Sequence, residues 1–163
     1  MGARAAAFAL SNMADTGTRA AIEMEGRHLV LYDGVCGLCN RLIQRILELD
    51  RRGVFHFASL QGPVAKAALA PFGESPDALD TFYVIANYRR PPARLLARGR
   101  AALFVATELG WPWSAAGVVG FLPGAVLDGA YDRLARSRYA IFGQLDHCLV
   151  PDAKYRDRFL DIG

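Results

Sequence analysis

The sequence predicts a mixed α/β domain, and three observations predict it. The apolar run Leu29–Tyr32 stops at Asp33-Gly34, as a buried strand does before a turn. The following segment, Asn40 to Arg52, brings Leu42, Ile43, Ile46, Leu47 and Leu49 round at helical spacing, with Arg41, Gln44, Arg45 and Glu48 on the other face. Two further runs, Val54–Ala58 and Thr81–Ala86, are rich in β-branched and aromatic residues.

The remaining elements follow in order. Gly53 stands where the C-terminal cap of the first helix belongs. Pro63 to Pro71 suits a short Ala-rich helix with Pro63 in its first turn, and Gly73–Asp80 is a polar loop. Asn87–Pro92 is a turn that lets Ala93–Ala97 return antiparallel to the preceding strand. Ala101–Leu109 is helical. From Trp111 onward the chain reads as helical, with breaks at Pro112, Pro123-Gly124, Gly143 and Pro151. The order is β-α-β-α-β-β-α with a C-terminal helical extension. Strands joined through a helix run parallel with a right-handed crossover, and strands joined by a turn run antiparallel, so the sheet is mixed. This is the order of a thioredoxin-like core. Residues 1–26 read as a disordered leader, with Met13 or Met24 as alternative starts, and 27–163 as one domain with its helical tail from about 111.

Composition narrows the function. The 163-residue chain is 53% hydrophobic and 21% charged, enough for a sizeable core and against disorder. A net charge of +3, with short arginine stretches broken by apolar residues, argues against a nucleic-acid partner. Three cysteines do not make a disulfide-stapled secreted domain, and Ala5–Leu10 is too short for a signal-peptide core. The expected location is therefore cytoplasmic. Ala115–Leu127 is the most apolar stretch, but it falls short of the roughly 20 residues of a membrane helix. It is expected to be a helical turn packed on the core, and Trp111 and Trp113 are expected in the core too. No integral membrane segment is expected, and a peripheral membrane contact stays open.

The chemistry lies in Cys36-Gly37-Leu38-Cys39 at the start of the first helix. The positive end of a helix favours an anion, and the thiolate is the nucleophilic form of cysteine. Free cysteine titrates near 8.5, and a helix N-terminus with a nearby cation lowers that by roughly one to several units. Arg41 is close enough in sequence to contribute. Cys36, nearer the loop, is expected to be exposed and to attack a substrate disulfide. Cys39, one turn later, is expected to be more buried and to resolve the mixed disulfide. Asp33 has three readings: raising the thiol pKa by repulsion, shaping the loop by accepting backbone N–H groups, or taking a proton from Cys39 through a water.

Asp33-Gly34-Val35-Cys36-Gly37-Leu38-Cys39-Asn40 resembles the signature of the DCC-type thiol-disulfide oxidoreductases, named for Asp-x-x-Cys-x-x-Cys. The resemblance runs through the Arg-rich first helix and Phe55-His56-Phe57. It returns in Tyr131, Arg138-Tyr139, Phe142-Gly143 and in Cys148 before Pro151, so it covers Leu29 to Pro151. It implies a thioredoxin-like fold and thiol-disulfide exchange with a protein or small-molecule substrate, reset by an unidentified electron donor, with no cofactor. The catalytic set is then Cys36, Cys39 and Asp33, with Gly34, Val35, Gly37 and Leu38 as substrate contacts. Thioredoxins carry a cis-proline before the third strand. Here the strand begins Asp80-Thr81-Phe82 and Pro76 comes too early, so Thr81 is the candidate at that place.

Two other classes compete with the enzyme. A structural zinc site wants four ligands, and beyond the pair only Cys148, His28, His56 and His147 remain, without a second closely spaced pair. A thioredoxin-like adaptor would keep the cysteines without turnover. His147 and Cys148, being adjacent, do not face each other, and His56 between two phenylalanines reads as a packed or rim residue. Tyr131, Arg138 and Tyr139 read as a polar anchor for the tail.

Overall fold

The computed structural model describes residues 27–76, 82–142 and 152–161, with backbone alone at 116, 119, 134, 135 and 138–142. The predicted leader, Thr81, Gly143, His147, Cys148 and Pro151 lie outside the described residues, as do the side chains of Arg138 and Tyr139. The strands are β1 His28–Tyr32, β2 Phe55–Ser59, β3 Tyr83–Ala86 and β4 Arg94–Ala97. The helices are α1 Gly37–Leu49, α2 Pro63–Leu69, α3 Arg98–Glu108 and α4 Gly124–Phe142. Tight 3-10 segments run over Ala70–Phe72, Trp113–Phe121 and Ala153–Arg158.

The sheet order is β2-β1-β3-β4. β1 runs parallel to β2 and antiparallel to β3, and β3 runs antiparallel to β4. This is the mixed α/β sheet expected of a thioredoxin-like fold. Successive strand residues point to opposite faces, and here both faces are covered. Val30, Tyr32, Phe55, Phe57 and Val84 join Ile43 and Ile46 of α1 and Ala101 and Val105 of α3 in one core. Leu29, Leu31, Tyr83 and Ile85 join Ala65, Ala68 and Leu69 of α2 in the other. A strand covered on both sides has no polar face, which is why β1 reads Leu-Val-Leu-Tyr without alternation. In α1 the apolar stripe narrows to Ile43, Ile46 and Leu47, and Leu42 turns outward.

The tail departs from expectation in two places. Ala115–Leu127 does not pack on the core as a buried turn, and Trp111 and Trp113 are not core residues. Trp111, Trp113, Val118, Phe121, Leu122 and Val126 are exposed. The end of the chain is not wholly helical either. Phe159 bridges to Phe57 in parallel register, and the Leu160 N–H donates to the Phe57 carbonyl, so the chain returns to the free edge of β2. An unpaired edge carries a row of unused backbone groups, and this return covers part of it.

The returning segment is held by charge. Asp50, buried just after α1, accepts the N–H groups of Val54 at 3.2 Å and Phe55 at 2.9 Å. Its Oδ2 also pairs with the Arg158 guanidinium, which donates to the Phe55 carbonyl from both Nε and a terminal nitrogen. His56, on the opposite face of β2 from Phe55 and Phe57, is buried, and among the described residues its Nδ1 has no hydrogen-bond partner. Burial, then the Arg27 and Arg158 charges, push its pKa down to about 4 against the opposing pull of Asp50 and Asp157.

Replacing Arg158 by Ala leaves the buried Asp50 carboxylate without its cation, and about 3 kcal/mol of stability should be lost in urea denaturation. A loss under about half a kcal/mol, typical of surface sites, would mean the pair does not form in solution. The His56 shift gives a pH dependence. Between about 4, the folded value, and the ordinary histidine value of 6.5, the unfolded chain holds the extra proton, so stability falls as pH drops through that window. The urea midpoint should decline from pH 7 to pH 5, and His56→Leu should flatten the decline. An equal slope in that variant would assign the effect elsewhere.

Candidate functional site

The site is the passage from β1 to α1, which takes only the residues between Tyr32 and Gly37. So sharp a turn, mostly buried, leaves backbone groups that need partners. Asp33 supplies some: its Oδ1 accepts the Val35 N–H at 3.1 Å and the Gln61 amide at 2.9 Å. Gln61 also takes the Gly34 N–H on its Oε1 at 3.2 Å and is held in turn by the Ser59 hydroxyl. From the helix side, the Asn40 amide donates to the Gly34 carbonyl at 2.7 Å and to the Cys36 carbonyl at 3.1 Å. The Asn40 N–H donates to the same Cys36 carbonyl, which makes Cys36 the N-cap residue of α1. Both cysteines are buried.

One expectation is reversed. Cys36 was expected to be exposed, yet it has no accessible surface, while Cys39 retains 9%. The cause is the inward clamping of the loop. Asn40 and Asp33 draw it down, and Cys36 joins the core cluster of Tyr32, Phe82 and Tyr131. Arg41 is exposed. Of the three readings of Asp33, the described contacts are those of loop shaping. Gly34 has both backbone groups engaged, Gly37 is buried, and Val35 and Leu38 are half-buried at the rim. Beside the place of Thr81, the Phe82 N–H is taken by the Tyr131 hydroxyl at 2.9 Å. Tyr131 thus ties α4 to the start of β3, which fits the polar anchor read from the sequence.

Asn40 and Gln61 are the residues whose roles sequence reasoning missed. Asn40 carried a signal, since an asparagine in the first turn of an apolar helix needs a reason to be there. Gln61 carried none, because its partner Asp33 is 28 residues away. A cavity of about 280 Å³ opens beside α1, lined by Tyr32, Asn40, Ile43 and Gln44 and, from the C-terminal segment, Tyr155 and Phe159. It shares Asn40 with the cysteine loop. Among the described residues no three His, Cys, Asp or Glu side chains gather as metal ligands. His28 is engaged elsewhere: its Nδ1 accepts the Asn87 N–H at 3.2 Å, and its Nε2 lies 3.9 Å from Glu108. Burial is the main cause that lowers its pKa. Among the described residues no helix is long and apolar enough to cross a membrane.

Replacing Asn40 by Leu keeps the bulk but removes the donor to two carbonyls. A loss of about 2 kcal/mol is expected, with faster alkylation of Cys36 as the loop loosens. Unchanged stability and labelling would show that the clamp is not needed.

The chain is similar over 132 residues to the uncharacterized protein YuxK of Bacillus subtilis, at 32% identity, covering 81% of this chain and 93% of that protein. It is also 30% identical over 132 residues to the chloroplastic DCC family protein At1g52590 of Arabidopsis thaliana, covering 80% of this chain and 74% of that protein. No solved structure matches. The family model for DCC1-like thiol-disulfide oxidoreductases matches residues 30–144, from within β1 to just past α4 and across both cysteines. By that match, and by the strand-loop-helix setting of its cysteine pair, the chain belongs to the DCC1-like thiol-disulfide oxidoreductase family.

Proposed function

We propose that this chain exchanges disulfides through Cys36 and Cys39. The observation that supports it most is the placement of two cysteines one helical turn apart, with Cys36 at the N-cap of α1. In this reading Cys36 is the attacking sulfur and Cys39, one turn later, the resolving one.

The steps balance as follows. The Cys36 thiolate attacks one sulfur of a substrate disulfide, and the substrate S–S bond breaks. One substrate thiolate leaves and takes a proton from solvent. The Cys39 thiolate then attacks the Cys36 sulfur, breaking the mixed disulfide and releasing the second substrate thiolate. The substrate is reduced by two electrons and the pair is oxidised to a Cys36–Cys39 disulfide. A thiol donor reverses this for the next turnover. Asp33 acts in this reading as a positioning residue that holds the loop. Val35 and Leu38 form the rim a substrate meets first, and Gly34 and Gly37 become reachable as the loop moves outward. Thr81 remains the candidate contact before β3.

Burial of both cysteines favours a second reading, a binding module that keeps the thiols without turnover. One experiment separates the two. The reduced protein is treated with glutathione disulfide and mapped by mass spectrometry. The exchange reading expects a Cys36–Cys39 disulfide in the wild type with two equivalents of glutathione released. It expects a mixed disulfide on Cys36 in Cys39→Ser, and far slower reaction in Cys36→Ser. If Cys36 stays unmodified in the native protein and reacts only when unfolded, the binding module is the correct reading.

A further inference from the structure

From Leu109 to Leu127 the chain holds no charged residue and only Ser114 among polar side chains. Such a run is normally interior, yet this one lies on the surface. Trp111 is 84% exposed, Val118 72% and Phe121 92%. The reason is a row of glycines. In a 3-10 segment, residues three apart lie one above the other, so Gly117 and Gly120 share the row that meets α3. A Cβ on Gly117 would lie 3.3 Å from the Thr107 methyl, and one on Gly120 3.1 Å from a Leu103 methyl. These two glycines thus lie toward α3, and Val118 and Phe121, three apart in the neighbouring row, are exposed. This inverts the usual amphipathic order, in which bulk is buried and small or polar residues are shown.

The surroundings indicate the occupant. The exposed Arg100 lies against the start of α4, where a Cβ on Gly124 would come 2.9 Å from its guanidinium. The exposed Arg133 lies two turns after Val126 on the same helix face. The patch is therefore apolar and aromatic, with cations at its base. Large apolar patches on a surface mark interaction sites. Tryptophan and phenylalanine beside arginine are the side chains that settle at a lipid–water interface.

We propose that Trp111, Trp113, Val118, Phe121, Leu122 and Val126 form a membrane-surface docking patch that inserts into the headgroup region of an anionic bilayer, with Arg100 and Arg133 on the lipid phosphates. The docking is peripheral and does not depend on disulfide exchange.

The two tryptophans of the chain both lie in the patch, so their fluorescence reports on it directly. The full chain is titrated with vesicles of phosphatidylcholine alone and of phosphatidylcholine mixed with phosphatidylglycerol, and binding is also read by co-sedimentation. The expected result is a blue shift and sedimentation with the anionic vesicles, weakened by salt. Val118→Ser with Phe121→Ser should weaken binding by roughly tenfold or more, and Arg100→Gln should reduce its salt dependence. These three positions are exposed, so thermal unfolding should stay as in the wild type. Absence of binding to anionic vesicles, or equal binding by the serine variant, would overturn the proposal. So would a blue shift that follows protein concentration without lipid and disappears in that variant, because a second copy would then cover the patch.

Discussion

The structure turns on the need to change from a fully buried strand to a helix between Tyr32 and Gly37. In water the backbone groups of such a turn would be solvated. Here, packed between two layers, they need protein partners, and leaving one unmet costs on the order of 1–3 kcal/mol. Asp33, Asn40 and Gln61 meet them from three elements: the end of β1, the first turn of α1 and the turn after β2. The register of β1 against β2 brings Tyr32 opposite Ser59 and so sets Gln61 beside Asp33. The loop that carries the cysteines thus depends on the parallel pairing, and its N-cap residue is fixed by that pairing as much as by the helix.

The same clamp explains why the cysteines are buried. A loop drawn inward at both ends leaves its first thiol in the core, between strand and helix. Reactivity then becomes a matter of how often the loop opens, which belongs to local stability more than to the static geometry. The Gln61 and Asp33 hydrogen bonds of the clamp are half-buried and Gln61 is itself exposed, while the Asn40 bonds are buried. Under the proposed exchange, the closed loop covers the thiol and reaction requires the loop to open.

A second polar anchor, Asp50 with Arg158, works at the other end of α1. It closes the turn into β2 and brings back the C-terminal segment that lines the cavity beside α1. The site is therefore bounded by two polar clusters at opposite ends of one helix, with a hydrophobic stripe between them. His56 lies near the second cluster and is kept neutral by burial and by the arginines around it.

The strands, the first helix and the cysteine motif were legible in the sequence because their physics is local. Strand and helix periods, the Asp33-Gly34 turn and the Cys-x-x-Cys spacing each depend on neighbours a few residues apart. The mixed sheet followed from connection lengths, since a helical crossover makes β1 and β2 parallel and a short turn makes β3 and β4 antiparallel. Three features waited for the tertiary structure. Cys36 is buried because Asn40 of α1 and, from the turn after β2, Gln61 clamp the loop that carries it. The tail returns to β2 because Arg158 finds Asp50 at a separation of 108 residues. The apolar stretch after Leu109 leaves Val118 and Phe121 exposed where Gly117 and Gly120 fit against α3. Composition alone marks that stretch as interior, and only packing decides which side of it faces in. Hydrophobicity specifies that a residue gains by leaving water, while the shape of its neighbours specifies whether there is room.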